Sequence, residues 1–165
     1  MRGADQLPGP VLAEWLVHTL RPLRTAVMRG PGGRSGSGAA LRERVAVVAS
    51  QYAWPVIEVG GAPPDPVEAL VVLSTLGDAQ VDPAIAAGVA QVQPGGMVAE
   101  LAHPPSLRPW QVLQWLRRTR VMRSAAELRA RAWLEHGLYA VEQWAPVDLP
   151  RVLVTCGRRR AIPGP

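Results

Sequence analysis

The chain has 165 residues, of which 48% are apolar, so it can bury the core of one compact domain and is too apolar to be intrinsically disordered. The formal net charge is +5, but all 18 basic residues are arginine and the sequence contains no lysine. In a chain that is also rich in Ala, Gly and Pro, this arginine bias is typical of a GC-rich genome. The charge alone therefore does not predict nucleic-acid binding, and we expect none.

The cysteine and apolar patterns exclude several further classes of protein. Cys156 is the single cysteine, which excludes an intrachain disulfide and a cysteine-based metal site. No stretch approaches the roughly 20 apolar residues of a membrane-spanning helix, and the first residues do not resemble a signal peptide. We expect a cytoplasmic protein with one domain over residues 1–165. A helical lead-in would occupy residues 1–24 and a flexible basic tail residues 158–165.

The first half of the chain predicts helices and strands in alternation. Apolar residues at helical spacing predict a helix over residues 12–20, and a short strand follows at residues 25–28. Residues 30–38 are rich in Gly and Ser and predict a flexible loop. Apolar positions from Leu41 to Tyr52 then predict an amphipathic helix, after which residues 56–59 predict a strand.

The alternation continues through the middle of the chain. Residues 70–76 are almost entirely apolar and predict a buried strand. Ile85, Val89 and Val92 mark a helix, and Pro94-Gly95 suits the central positions of a type II turn. Residues 97–102 predict the next strand.

The last third predicts two helices and a hairpin. A helix is expected over residues 110–119, and Ser124-Ala-Ala-Glu127 fits a capping box at the start of a second helix that stops at Gly137. Residues 138–144 and 151–156 predict two antiparallel strands at one edge. The whole pattern predicts an α/β fold, a three-layer α/β/α sandwich with a mostly parallel sheet and an antiparallel C-terminal edge hairpin.

This order of elements resembles the class I S-adenosylmethionine-dependent methyltransferase fold, most closely over residues 64–159. Residues 70–76 look like the family's fourth strand, and Gln93-Pro-Gly-Gly96 looks like the turn before its fifth. Residues 124–144 look like its late helix, glycine break and sixth strand, and residues 151–159 look like its closing strand. The resemblance implies a methyltransferase-like domain with its cofactor edge in the N-terminal half.

The N-terminal half departs from the family's cofactor pattern. Active members carry an acidic residue at the end of the first strand, before a G-x-G loop; here Arg29 stands in that neighbourhood, before Gly30-Pro-Gly32. A second acid, at the end of the family's second strand, holds the cofactor's ribose. Glu58 is the candidate for that role, although its strand aligns about as well with the third strand of the family. This half also lacks one strand–helix unit of the family's pattern.

Several candidate residues have more than one interpretation. Ser74 and Thr75 end a central strand, where such sheets bind ligands, but a helix cap or turn explains them equally well. Glu58 is as readily a solvated carboxylate on an edge strand. His103 follows a strand and could act as a general base or be a simple loop histidine. The glycine-rich loop lacks the lysine of a P-loop, so a mobile surface loop is the simpler interpretation.

The tryptophans predict core anchors in a chain without phenylalanine. Trp110, Trp115, Arg117 and Arg118 form the best candidate for a partner surface, because Trp and Arg are enriched at protein interfaces. A helix with one buried and one solvated face is the alternative interpretation.

Two functional hypotheses follow from these observations. In the preferred one, the domain is a degenerate, non-catalytic methyltransferase-like subunit that needs no cofactor and holds a protein partner or a second copy of itself. In the alternative, it is a small methyltransferase of unknown substrate. S-adenosylmethionine would then bind at Gly30, Gly32 and Glu58, with Ser74 or Thr75 near the adenine or the substrate.

Overall fold

The structure is a computed structural model and describes residues 12–30, 36–58, 60–61, 63, 65–75, 83–103, 119–149 and 151–161. Within these residues four helices and six strands follow one another along the chain. In order they are α1 (Leu12–Leu20), β1 (Thr25–Arg29), α2 (Gly36–Gln51), β2 (Val56–Glu58), β3 (Val67–Thr75), α3 (Pro83–Val89), β4 (Val92–His103), α4 (Thr119–Glu135), β5 (Leu138–Trp144) and β6 (Leu153–Arg159).

The six strands form one mixed sheet in the order β2-β1-β3-β4-β6-β5. The pairs β1–β2, β1–β3 and β3–β4 are parallel. β6 pairs antiparallel with both β4 and β5, so the C-terminal hairpin closes one edge of the sheet. The predicted α/β fold, with a mostly parallel sheet and an antiparallel C-terminal edge hairpin, is confirmed.

Apolar side chains cover both faces of the sheet. On one face, Leu16 of α1 and Leu41 and Val45 of α2 belong to one buried cluster with Val27 and Val71 of the sheet. On the opposite face, residues of α3 and α4 pack in a second cluster, which includes Met28, Leu70, Ile85, Val98 and Trp133. Successive residues of a strand point to opposite faces, so the continuous apolar runs of β1 and β3 supply both clusters.

Tryptophan anchors the core as predicted. Trp133 of α4 is fully buried in the second cluster. Trp15 of α1 and Trp144 of β5 meet edge to face with their ring centroids 5.2 Å apart, which joins the N-terminal helix to the end of the hairpin. Such aromatic pairs contribute about 0.5–1.5 kcal/mol beyond the area they bury.

The Pro-Gly-Gly segment lies inside β4 rather than ahead of it. β4 already begins at Val92, which pairs with Val67, and the next registered pair is Met97 with Ala69. The residues in between form an irregularity in the strand, where Gly95 has a φ of 78° as the turn chemistry predicted. The expectation that Val92 belongs to the preceding helix was wrong, because α3 ends at Val89.

The boundaries of three further elements differ from the predictions. α2 begins at Gly36, so residues 36–38 are helical rather than part of the predicted loop. α4 begins at Thr119, which places Ser124 in its interior, so the predicted capping box does not start this helix. The predicted helix over residues 110–119 lies outside the described residues except for Thr119. Gly137, with a φ of 88°, ends α4 as predicted.

The C-terminal strand extends further than expected. Arg158 and Arg159, predicted to begin the flexible tail, are the last two residues of β6. Arg158 donates to the carbonyl oxygen of Gly95 at 3.0 Å, and the Arg159 guanidinium donates to the carbonyl oxygen of Val92. These two arginines therefore tie β6 to the irregular part of β4.

β5, at one edge of the sheet, contains a bulge. Its register with β6 shifts between Tyr139 and Glu142, and Ala140 has a φ of 50°. The other edge is β2, which is only three residues long.

The connection from β2 to β3 is short. Only residues 59–66 separate the two strands, whereas a strand of about five residues and a helix of about eleven would together need roughly twice that length. The segment therefore has no room for a further strand–helix unit. This agrees with the expectation that the N-terminal half lacks one strand–helix unit of the family's pattern.

A buried ion pair fixes α4 on the sheet. Arg129 donates to Glu100 through Nε at 2.8 Å and through Nη2 at 2.5 Å, and both side chains are almost fully buried. Thr155, opposite Glu100 on β6, accepts a hydrogen bond from Gln143, which also donates to the carbonyl oxygen of Ala126 in α4. Polar contacts from β4, β5 and β6 thus converge under one helix.

No helix among the described residues is long and apolar enough to span a membrane.

The buried ion pair generates a prediction about stability. Glu100→Gln leaves the Arg129 charge buried without its carboxylate and is expected to lower the free energy of unfolding by about 3–5 kcal/mol. Glu68→Gln is the control, because Glu68 faces Arg24 at an exposed surface and is expected to cost about 1 kcal/mol or less. Urea unfolding followed by circular dichroism measures both, and equal losses would contradict the prediction.

The end of α2 generates a second prediction. Ala53 has a φ of 53°, a conformation that favours glycine, and the amide of Trp54 donates to the carbonyl oxygen of Ala49 as in a glycine-capped helix end. Ala53→Gly is expected to raise the free energy of unfolding by about 1 kcal/mol. Ala46→Gly, at an exposed position inside the same helix, is expected to lower it by about 1 kcal/mol. Thermal or urea unfolding distinguishes the two, and destabilisation by Ala53→Gly would contradict the prediction.

Candidate functional site

The carboxyl ends of β1 and β3 define the candidate site. From β1 the chain passes through α2 to β2 on one side, and β3 then pairs with β1 on the other side. The strand order reverses at this point, and open α/β sheets bind ligands in the crevice that such a reversal leaves at the carboxyl ends of the strands. Arg29, Gly30, Ser74 and Thr75 lie at this edge.

Gly30 lets β1 and β3 approach closely. Its amide donates to the carbonyl oxygen of Leu73 at 2.8 Å, and a Cβ atom at this position would lie only 2.7 Å from that oxygen. Backbone packing therefore accounts for this glycine without a cofactor. Gly32, the other glycine predicted to approach a cofactor, lies outside the described residues.

Glu58, the predicted ribose ligand, is held by an arginine. It ends β2 in register with Arg29 of β1, and Arg29 Nη2 lies 2.5 Å from Glu58 Oε1. The two side chains are 43% and 67% exposed, so the pair contributes about 1 kcal/mol or less to stability. Its main consequence is that the carboxylate predicted to hold a ribose already accepts a hydrogen bond from a guanidinium group.

Arg42 adds a second guanidinium group to this edge. It lies in α2 and donates through Nη2 to the carbonyl oxygen of Gly30 at 2.6 Å. Sequence reasoning missed Arg42, because a single arginine beside an apolar helical position looks like any solvated residue. With Arg29, it gives the end of β1 two positive charges beside the single negative charge of Glu58.

Ser74 and Thr75 point to opposite faces of the sheet. Leu73 belongs to the cluster on the α1–α2 face, so Ser74, the next residue, lies on the α3–α4 face. The buried hydroxyl of Ser74 has no hydrogen-bond partner among the described residues. Thr75 lies on the α1–α2 face, with its Oγ1 3.4 Å from Nε2 of His103. His103 is buried and in register with Thr75. The structure thus brings Thr75 and His103 together and separates Ser74 from them.

The charges at this edge do not fit S-adenosylmethionine. The sulfonium centre of that cofactor is positive, whereas the guanidinium groups of Arg29 and Arg42 lie at this edge, with Arg29 in the neighbourhood where the resemblance implies an acid. The carboxylate that would hold the ribose is paired with one of them. What remains chemically is a cationic rim beside a hydroxyl–imidazole pair, an arrangement suited to anionic or neutral polar groups.

Cys156 lies away from this edge and is not an activated nucleophile. Burial raises the pKa of its thiol, and Glu142, its registered neighbour on β5, raises that pKa further. A thiol protonated at neutral pH is a poor nucleophile. Among the described residues, no group of three or more His, Cys, Asp or Glu side chains could hold a metal ion.

The predicted partner surface formed by Trp110, Trp115, Arg117 and Arg118 lies outside the described residues.

Comparison with solved structures finds methyltransferases. An O-methyltransferase family protein from Burkholderia thailandensis is 14% identical, with a TM-score of 0.48 over 90% of this chain and 55% of its own. The apo form of the S-adenosylmethionine-dependent methyltransferase SibL is 14% identical, with a TM-score of 0.49 over 95% and 56%. An O-methyltransferase from Bacillus cereus, in complex with SAH, is 10% identical, with a TM-score of 0.47 over 94% and 84%.

The sequence itself matches no protein-family model and no curated protein. The chain spans about half the length of the first two structures. At these identities and TM-scores, nothing that those proteins bind or modify transfers to this one. The order and direction of the strands fit the class I methyltransferase-like fold that the sequence resembles.

Gly30 generates a prediction that separates backbone packing from ligand binding. Gly30→Ala is expected to lower the free energy of unfolding by about 1–3 kcal/mol in the absence of any ligand, because its Cβ would overlap the carbonyl oxygen of Leu73. Gly61→Ala, whose Cβ would lie 3.1 Å from the carbonyl oxygen of Glu58, is expected to cost less because that contact is longer. Chemical unfolding of both variants measures the difference. A fully stable Gly30→Ala protein would show that packing does not require this glycine.

Proposed function

We propose that the domain is a non-catalytic, methyltransferase-like subunit that binds a protein partner or a second copy of itself. The observation that carries this proposal is the Arg29–Glu58 ion pair at the carboxyl edge of the sheet. It puts a guanidinium group where the family has an acid, and it occupies the carboxylate that would otherwise hold a ribose.

The short connection between β2 and β3 also supports the proposal. A strand–helix unit that the family's pattern includes has no room between residues 59 and 66. The connection therefore does not supply the strand and helix that would border the cofactor edge on this side. The predicted interaction surface around Trp110 and Arg117 remains a prediction.

The second candidate function is that of a small methyltransferase of unknown substrate. Thr75 and His103 favour it, because a buried imidazole 3.4 Å from a hydroxyl can accept a proton at this edge. For this function, Glu58 would have to leave Arg29, and the exposure of both side chains would permit that movement.

Calorimetric titration with S-adenosylmethionine and S-adenosylhomocysteine tests the proposal. We expect no binding heat from folded protein at ligand concentrations up to about 1 mM, a level that detects even weak sites. Micromolar binding that Glu58→Ala abolishes and the control Glu68→Ala preserves would overturn the proposal in favour of the enzyme.

The same preparation serves for light scattering after size exclusion. Self-association predicts a mass above that of the 17.7 kDa chain. A monomer at every concentration would leave only a protein of different sequence as the partner.

A further inference from the structure

A second cleft lies at the opposite edge of the sheet, where β1 and β3 begin. It has a volume of about 350 Å³ and is formed by the end of α1, the end of α2 and the residues just before β2 and β3. This volume is at the lower end of the range for small-molecule sites. None of the residues proposed above for cofactor binding lines it.

Part of the cleft wall is apolar. Trp54 and Val67, both largely buried, belong to its lining, and Pro55 and Pro66 stand exposed beside them. The ring of Tyr52 lies 5.9 Å from that of Trp54, tilted by 31°. Two aromatic rings and two prolines offer rigid apolar surface, so a ligand that binds here orders few side chains.

The rim of the cleft carries one cation and one anion that have no charged partner among the described residues. The guanidinium of Arg21 lies 5.7 Å from the centroid of the Tyr52 ring and makes no ion pair or side-chain hydrogen bond with any described residue. The carboxylate of Asp65 lines the same cleft and likewise has no such partner there. Arg24, in contrast, already lies beside Glu68.

We propose that this cleft binds a small zwitterion with an apolar body, namely a free apolar α-amino acid. Its carboxylate would pair with Arg21, its ammonium group would pair with Asp65, and its side chain would lie against Trp54 and the two prolines. A ligand with only one charge would leave the second rim charge without a partner. A fully apolar ligand would use neither charge.

Calorimetric titration with three related ligands tests the proposal. L-Phenylalanine carries both charges, N-acetyl-L-phenylalanine only the carboxylate, and L-phenylalaninamide only the ammonium group. We expect L-phenylalanine to bind with a Kd of about 1 mM or below and each of the other two to bind at least about tenfold more weakly. Equal binding of N-acetyl-L-phenylalanine and L-phenylalanine would overturn the zwitterion assignment and indicate a carboxylate ligand, such as a peptide C-terminus.

Three variants locate the site. Arg21→Gln and Asp65→Asn are each expected to weaken L-phenylalanine binding about tenfold, while Arg160→Gln, an exposed arginine in a different cavity, leaves it unchanged. Both rim residues are exposed, so we expect their variants to fold normally, and circular dichroism checks that they do. Absence of binding to folded wild-type protein at about 10 mM ligand would overturn the proposal, as would binding that both rim variants preserve.

Discussion

The parallel pairing of β1 with β3 is the contact on which the rest of this structure depends. β1 and β3 are separated in the chain by α2 and β2, and five consecutive residue pairs fix their register. Parallel strands at the centre of a sheet bury both faces, which requires helices on either side and explains the two separate apolar clusters. The same pairing places Arg29 and Gly30 beside Leu73 and Ser74, so the candidate site arises directly from the central packing.

Fold and site chemistry diverge in this domain. The sheet has the order and directions of strands expected from the resemblance to a methyltransferase-like fold, while its carboxyl edge carries guanidinium groups and a paired carboxylate. A fold is determined by buried apolar surface and strand order, whereas an activity depends on a few exposed or half-exposed side chains. Val27, Val71 and Leu101 in the buried core therefore support this fold whatever charge stands at the end of β1.

The sequence predicted the elements better than the contacts between them. Continuous apolar runs and helical spacing located the central strands and α1, because burial on one or both faces determines those patterns. The start of α4 was misplaced, because Ser124 and Glu127 match a local capping signature that an already formed helix overrides. The position of Pro94 and Gly95 inside β4 depends on pairing with Val67, a residue far away in the chain.

The candidate site was predictable in its location but not in its chemistry. Glu58 and Thr75 could be assigned to strand ends from the sequence alone. The pairing of Glu58 with Arg29 depends on which strand lies beside β1, and the contact of Arg42 with Gly30 depends on how α2 crosses the sheet. The second cleft, beside Trp54 and Asp65, gathers residues from segments that are separate in the sequence, so no local pattern indicates it.

The two edge strands affect whether copies of this chain can associate through their sheets. An exposed strand edge offers unpaired amide and carbonyl groups to any passing strand, which is a common route to aggregation. Here one edge is the three-residue β2, preceded by Pro55 and ending in the charged Glu58, and the other is β5 with its bulge at Ala140. Both edges are poor templates for strand addition. Association of two copies by strand addition at either edge of the sheet is therefore disfavoured.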